Sequence, residues 1–407
     1  MSEKASMATR KEIIARYRAK YAKATKQGKG VILDDAVLTT GLSRSRIKHI
    51  LSVKPWLVNK QTNPNPRPGR KPKYGSEVSS ALIRLWMLMD NSCGKRLTAG
   101  MNDLLDALIR YGEASFDSDT LALLREMSPS TADRLLKHPK EEMRFKGIST
   151  TKPGTLLKKN IPIRLGDEWN DAQPGFVEVD LVAHCGESAA GDYANTLDMP
   201  DICTGWTETQ AVINKAQVHV HKAITDCAGR MPFPLRGLDS DNGSEFINGH
   251  LFRYAQANNI CFTRSRPYKK NDNCHVEQKN WHVVRRNIGY DRYEGRTAVD
   301  VMNQYYSKLR LYTNFFLPQL KLMEKRRNGG HVSKRYETPM TPYRRILGSE
   351  HISAEVKAEL TEVFDSLNPV QLVREMSALR DKLKQMRVKT YGPQSLPRER
   401  RVASVLF

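Results

Sequence analysis

Leu238-Asp239-Ser240-Asp241-Asn242-Gly243-Ser244-Glu245-Phe246 is the stretch on which the reading of the fold turns. It reads as a strand near 235–241 that stops on a carboxylate and turns at once, because Asn-Gly is a strong local turn signal. Working back along the chain, the apolar alternation Phe176, Val177, Val179 ends on a second carboxylate, Asp180. Working forward, Glu277 opens the helix-like run Val276 to Ile288, with 35 residues between it and Asp241. Other strands are expected near 175–185, 191–198, 202–212 and 260–265, with helices near 215–229 and 247–258. The resulting order, β, β, β, α, β, α, β, α, predicts an α/β core: a mixed five-stranded sheet with helices on both faces.

Two carboxylates at strand ends and one on a helix fit a particular chemistry. Cutting or joining a phosphodiester calls for charge neutralisation on the attacking oxygen, the phosphate and the leaving oxygen together, which two divalent ions provide. Magnesium and manganese take hard oxygen ligands and keep several waters, so a few carboxylates suffice. Asp180, Asp241 and Glu277 are therefore the candidate catalytic residues and the candidate ligands of two Mg2+ (or Mn2+) ions. Asp239 is a rival, two residues from Asp241 and on the same strand face. The turn that follows Asp241 favours Asp241.

These words and spacings, over roughly Pro174 to Gly295, resemble the catalytic core of the retroviral integrase and bacterial DDE transposase superfamily. The matching features are Asp241-Asn242-Gly243, the pair Pro267-Tyr268 ten and nine residues before Glu277, Asn280 three residues after it, and the later Thr338-Pro339-Met340-Thr341-Pro342-Tyr343. The resemblance implies a ribonuclease H-like fold and metal ligation by the three acids, with Asn242 and Asn280 in support. It implies no nucleotide cofactor. Retroviral integrases carry an N-terminal zinc module, and here six cysteines without paired CxxC spacing predict no zinc and no disulfides.

Composition points to the same partner. Against 44 Asp+Glu stand 66 Lys+Arg, a formal charge of +22, which attracts polyanions with an affinity that falls steeply with salt. Arg264, Arg266, Lys269 and Lys270 precede Glu277, and Arg285 and Arg286 follow it; all six are candidate DNA contacts. No apolar run reaches the ~20 residues of a membrane helix, and Met1 to Lys11 has no signal core, so a cytoplasmic protein with no membrane partner is expected.

Residues 1–60 read as helices. Ile13, Ile14, Tyr17 and Tyr21 mark one, and Leu33, Val37 and Leu38 mark a second. The turn Thr40-Gly41-Leu42-Ser43, with Ser43 as N-cap, opens a third from Arg44 to Leu51. Ile47, Ile50 and Leu51 would point inward and Arg44, Arg46 and Lys48 outward, a helix-turn-helix whose basic face enters a major groove. A plain three-helix bundle fits the same pattern. Residues 61–75 form a basic, Pro-rich linker in which Arg67, Arg70 and Lys71 are candidate minor-groove contacts. A second helical, helix-turn-helix-like unit is expected over 76–150, with Ser128 as cap and Pro129 at the first helical position. The catalytic core spans 165–300.

A mainly helical region follows over 301–388. In it Tyr305, Leu309, Tyr312, Phe315 and Phe316 should pack back on the sheet, and Lys325, Arg326, Arg327, Lys334 and Arg335 should form a basic, glycine-interrupted loop. Leu372, Met376, Leu379, Leu383 and Met386 form a short stripe that docks on the core. The tail 389–407 is expected to be flexible.

The family resemblance implies a transposase of a bacterial insertion element. It would bind double-stranded DNA, both its terminal inverted repeats and target DNA, as a homodimer or larger synaptic oligomer. Two other readings compete. One is a tyrosine recombinase, with His250/Arg253 and His282/Arg285 as its HxxR words. The other is a DNA-binding regulator that has kept an inert core.

Overall fold

Val177 and Val179 are fully buried, and so is Glu178 between them, so the strand they form is covered on both faces, as strands with parallel neighbours are. In the computed structural model, which describes residues 7–52, 73–142, 173–241, 243–264, 276, 279–328 and 331–388, this strand is β1, Phe176–Ala183. Strands β2 (Asn195–Pro200) and β3 (Thr207–Val212) continue as an antiparallel meander. Helix α9 (Gln217–Arg230) then crosses over to β4 (Gly237–Ser240), parallel to β1, and α10 (Gly249–Ala257) leads to β5 (Cys261–Arg264), parallel to β4. The sheet order is β3-β2-β1-β4-β5. This is the mixed five-stranded sheet, in the element order, that the sequence predicts.

The third strand starts later than the expected 202–212 because residues 201–204 are held as a turn. The buried Asp201 carboxylate accepts bonds from the amides of Gly175 and Thr204 and from the Thr204 hydroxyl. Trp206 therefore precedes the strand. It is buried, with its indole N–H donating to Glu208 Oε1 at 2.9 Å.

Two units are separate in their internal packing: residues 1–73 and residues 74–407. The first contains α1 (Met7–Lys23), α2 (Lys26–Thr40) and α3 (Arg44–Ser52) around Tyr21, Leu33, Ala36, Ile47 and Leu51. Gly41, at φ +66°, closes α2 in the left-handed conformation that glycine adopts at low cost. Leu38 does not mark the inner face as expected: it is 85% exposed, and Ala36 and Thr40 are buried instead.

In the second unit α4 (Ser76–Leu88), α5 (Gly94–Arg110), α6 (Ser118–Arg125) and α7 (Pro129–Leu135) build their own apolar cluster, which Val370 joins, and α8 (Lys137–Glu142) follows them. Ser128 caps α7 with Pro129 at its first position, as the sequence predicts. This group is tied to the sheet domain. The Tyr312 hydroxyl donates to the Leu88 carbonyl, and Arg286 donates to the Asp90 carbonyl at 2.7 Å.

After the sheet come α11, a π-helical stretch Asn280–Arg285, its short continuation α12 (Arg286–Ile288), and α13 (Gly295–Phe316). Tyr305, Leu309, Tyr312, Phe315 and Phe316 are all buried there. The segment expected as a basic loop is instead an antiparallel hairpin, β6 (Leu322–Asn328) with β7 (His331–Tyr336). The two runs are separated by Gly329-Gly330, a dipeptide typical of hairpin connections. Helices α14 (Pro342–Gly348), α15 (Ala354–Ser366) and α16 (Pro369–Met386) end the described chain. On α16 Leu372, Met376 and Leu383 are buried in the main core, which is the docking expected of that stripe. The tail from residue 389 lies outside the described residues.

Candidate active site

Val179 pairs with Ser240 in the parallel register, so Asp180 and Asp241 are the next positions on neighbouring strands. They lie on one face of the sheet, Asp180 within β1 and Asp241 one residue beyond β4. Asp180 accepts the Leu181 amide on Oδ1 at 2.8 Å and the Asn280 side-chain amide on Oδ2 at 2.6 Å. Asp241 accepts the Gly243 amide on Oδ1 at 2.8 Å, an Asx-type turn. A Cβ at Gly243 would stand 2.8 Å from Asp241 Oδ1 and 2.7 Å from the Glu245 carboxyl carbon, so a larger residue there would displace the ends of these two acid side chains.

The electrostatics are those of crowded negative charge. Burial, and then the neighbouring Asp241 charge, push the Asp180 carboxyl up to about 7. Asp241 is also raised, chiefly by burial, with Glu245 adding to the effect. A site of this kind gains from a cation, because carboxylates close together cannot all ionise without one.

One step deeper, Glu178 and Asp239 pair in the same register and are fully buried. Asp239 accepts the Thr263 hydroxyl at 2.6 Å, a bond that joins β4 to β5. Glu178 accepts the Val276 amide at 2.9 Å and so anchors the chain just before residue 277 to β1.

Asp198 is the partner of Asp180 across β1 and β2 and is fully buried. Burial raises its pKa, and the nearby Lys279 ammonium opposes that rise. Lys279 in turn donates to the Gly205 carbonyl at 3.2 Å and the Thr207 hydroxyl at 2.9 Å, with its pKa lowered by burial. Opposite directions for an acid and a base side by side favour the neutral pair.

Glu178, Asp198 and Lys279 were missed in the sequence. For Glu178 and Asp198 the available signal was a charge inside a strand otherwise fit for burial; Lys279, just before the π-helical stretch, carried no such signal.

The remaining candidates fall as follows. Glu277, Asn242, Arg266, Lys269, Lys270, Arg67, Arg70 and Lys71 lie outside the described residues. Among the described residues no group of three or more His, Cys, Asp or Glu side chains is arranged to hold a metal ion. Arg264 is buried at the end of β5, and Arg286 forms an ion pair with Asp90 at 3.0 Å. Arg285 packs its guanidinium over the Tyr290 ring at 4.7 Å. Arg44, Arg46 and Lys48 are exposed on α3 with Ile47 buried behind them; Arg44 pairs with Asp34. His184 is a core residue, its Nε2 2.7 Å from the Thr196 hydroxyl, and burial holds its pKa down at about 3.

Fold and site together define an α/β protein with two adjacent carboxylates on neighbouring parallel strands, one within β1 and one just beyond β4. The chain is 37% identical over 345 residues to "Uncharacterized protein y4rM" of Sinorhizobium fredii (strain NBRC 101917 / NGR234), a match taking in 85% of this chain and 97% of that protein. It belongs to the family of y4rM. No family model matches it. Among solved structures, the catalytic core domain of BIV integrase aligns with 17% identity and a TM-score of 0.28, over 44% of this chain and 96% of that one. A likeness of that degree decides nothing, and the fold stands on its own topology. Among the described residues no helix is long and apolar enough to cross a membrane.

Proposed function

We propose that this chain is a DNA transposase of the integrase type, which nicks the ends of an element and joins the exposed 3′-hydroxyls to target DNA. One observation carries the reading: Asp180 and Asp241 stand side by side on β1 and β4, and Asn280 bonds directly to Asp180. Residue 277 lies three positions before Asn280, which on a helix is the same face. In this reading Glu277 completes the acidic set.

The chemistry of the donors fits hard divalent cations: carboxylate oxygens, crowded and short of counter-charge, with a glycine cradle between Asp241 and Glu245. Asp180, Asp241 and Glu277 would hold two Mg2+ or Mn2+ ions, which when bound supply Lewis-acid stabilisation of the attacking and leaving oxygens. The chain's own residues do the positioning. Asn280 fixes the orientation of the Asp180 carboxylate. The Glu178 bond to the Val276 amide, with the Lys279 bonds to residues 205 and 207, ties Val276 and Lys279, on either side of residue 277, to the sheet.

DNA recognition is assigned to residues 1–73, where 18 Lys+Arg face only 4 Asp+Glu, against 48 and 40 in the rest of the chain. Arg44, Arg46 and Lys48 present the exposed basic face of the α2–turn–α3 unit, and the basic, Pro-rich sequence 61–75 adds Arg67, Arg70 and Lys71. Residues 76–142 are a second candidate reading head. A homodimer or larger assembly follows from the need to join two ends at once.

The test is a plasmid assay with the DNA flanking the gene. Wild-type chain should nick and join in Mg2+ and stop in EDTA. Asp180→Asn, Asp241→Asn and Glu277→Gln should each lower both steps at least ~1,000-fold, the scale of lost transition-state charge stabilisation, with end binding retained. Strand transfer that survives any of the three substitutions rejects the assignment.

A further inference from the structure

Five tryptophans occur in the chain; of the three that are described, Trp86 and Trp206 are each 2% exposed and Trp281 is 51% exposed. Trp281 follows Asn280, whose side chain holds Asp180, so its backbone lies one residue from a group that touches the acidic site. It is also mounted rather than loose. The His282 ring stands edge-on at 5.1 Å, and the Arg286 guanidinium lies 6.0 Å from the indole centroid. That guanidinium is itself fixed by the Asp90 carbonyl and carboxylate. Nine residues on, Tyr290 is 42% exposed and carries Arg285 over its ring at 4.7 Å. Two exposed aromatics, each backed by an arginine, thus follow one another along the segment that leaves the site.

An indole held this way exposes a large apolar surface beside two half-buried arginines. Stacking on a flat, π-bearing group attached to an anionic backbone satisfies both features, and the nucleobase of a single strand is such a group. A duplex interior base is not available to it, but a base next to a nick or at a frayed end is.

We infer that Trp281 is a stacking platform for an unpaired nucleobase near the reacting phosphate, and that it holds the DNA end open. The inference rests on the DNA-processing reading above and assigns a subsite within it.

The test uses the full chain in EDTA, titrated with a 20-nucleotide oligothymidylate carrying a terminal fluorescein, with anisotropy and tryptophan emission read together. Trp281→Ala should weaken binding roughly 5- to 100-fold. Trp281→Phe keeps a stacking ring and should bind within about 3-fold of wild type, yet lose most of the emission quench seen on binding. Both variants are checked for wild-type circular dichroism; should the alanine variant misfold, the quench of the phenylalanine variant decides. Unchanged quenching in Trp281→Phe, or wild-type binding by a folded Trp281→Ala, overturns the inference. So does a change in sedimentation without a change in oligonucleotide binding, which would give the indole to a protein contact. Quenching without any metal-dependent nicking would sink the enzymatic reading and leave the stacking site standing; nicking with an inert Trp281 would do the reverse.

Discussion

Asp180 shows how much a single acid costs the fold that buries it. Its carboxyl is pushed up to about 7 by burial and by the Asp241 charge, whereas an unfolded chain would place it near 3.9. Between those values the folded chain holds a proton that the unfolded chain has released, so stability falls as pH rises through this window. Above about pH 7 the full cost is present. Asp180→Asn removes it and gives up one acceptor, and the variant should exceed the metal-free wild type in stability at pH 8 by on the order of 1–3 kcal/mol, with the gap closing toward pH 4. Urea midpoints in EDTA at both ends of the range measure this; an asparagine variant less stable than wild type at pH 8 would refute the account. Saturating Mg2+ should stabilise wild type at pH 8 and leave Asp180→Asn unmoved, because ligand binding to the native state alone shifts folding by mass action.

At this scale the sequence was informative where a residue's neighbours in the chain are its neighbours in space. Asp241 was legible because its turn, Asn-Gly, follows at once, and Asp180 because it ends an apolar alternation. Asp198 was not, since what makes it unusual is a partner 18 residues back on another strand and a lysine 81 residues on.

Among the elements, the edge of the sheet is the instructive case. β3 is an outer strand, and unpaired backbone groups on such an edge invite association unless something covers them. Helix α13 covers it with two asparagines. Asn303 accepts the Ala211 amide at 2.7 Å and donates to the Ala211 carbonyl at 3.1 Å; Asn314 makes the same pair of bonds with Thr207, both at 3.0 Å. Eleven residues of helix match the four-residue step along the strand, each carboxamide standing in for a peptide unit of a missing sixth strand.

Asn314 is fully buried, so Asn314→Ala would strand a donor and an acceptor of Thr207 without water. The expected loss is about 2–4 kcal/mol, larger than for Asn303→Ala, and it should appear as a lower urea midpoint at unchanged slope. Equal, small effects at the two sites would show that the edge does not depend on them.

Nothing in the sequence gave these two asparagines away, because an amphipathic helix tolerates an asparagine anywhere on its polar flank. The β6–β7 hairpin is different. Its signal, two runs separated by Gly-Gly, was present, and the density of Lys and Arg in the runs masked it; charge reads as loop only when no alternating pattern and turn accompany it.

On the scale of the whole molecule, charge and packing divide at the same place. The first 73 residues form their own small core and carry most of the excess positive charge, whereas residues 74–407 are closer to balance and contain the acidic site. Their apolar clusters share no residue. A chain starting at Tyr74 should therefore fold with a cooperative transition of its own and keep any nicking that depends only on Asp180, Asp241 and Glu277. Its hold on DNA should change in kind. Each phosphate neutralised contributes about −0.9 to the slope of log K against log salt, so removing 14 net positive charges should flatten that slope by several units and lower affinity most at low salt. Anisotropy with a labelled duplex at four salt concentrations measures both quantities. If the shortened chain gives the same slope as the whole one, the basic patches around the acidic site carry the DNA, and the N-terminal helices serve some other purpose.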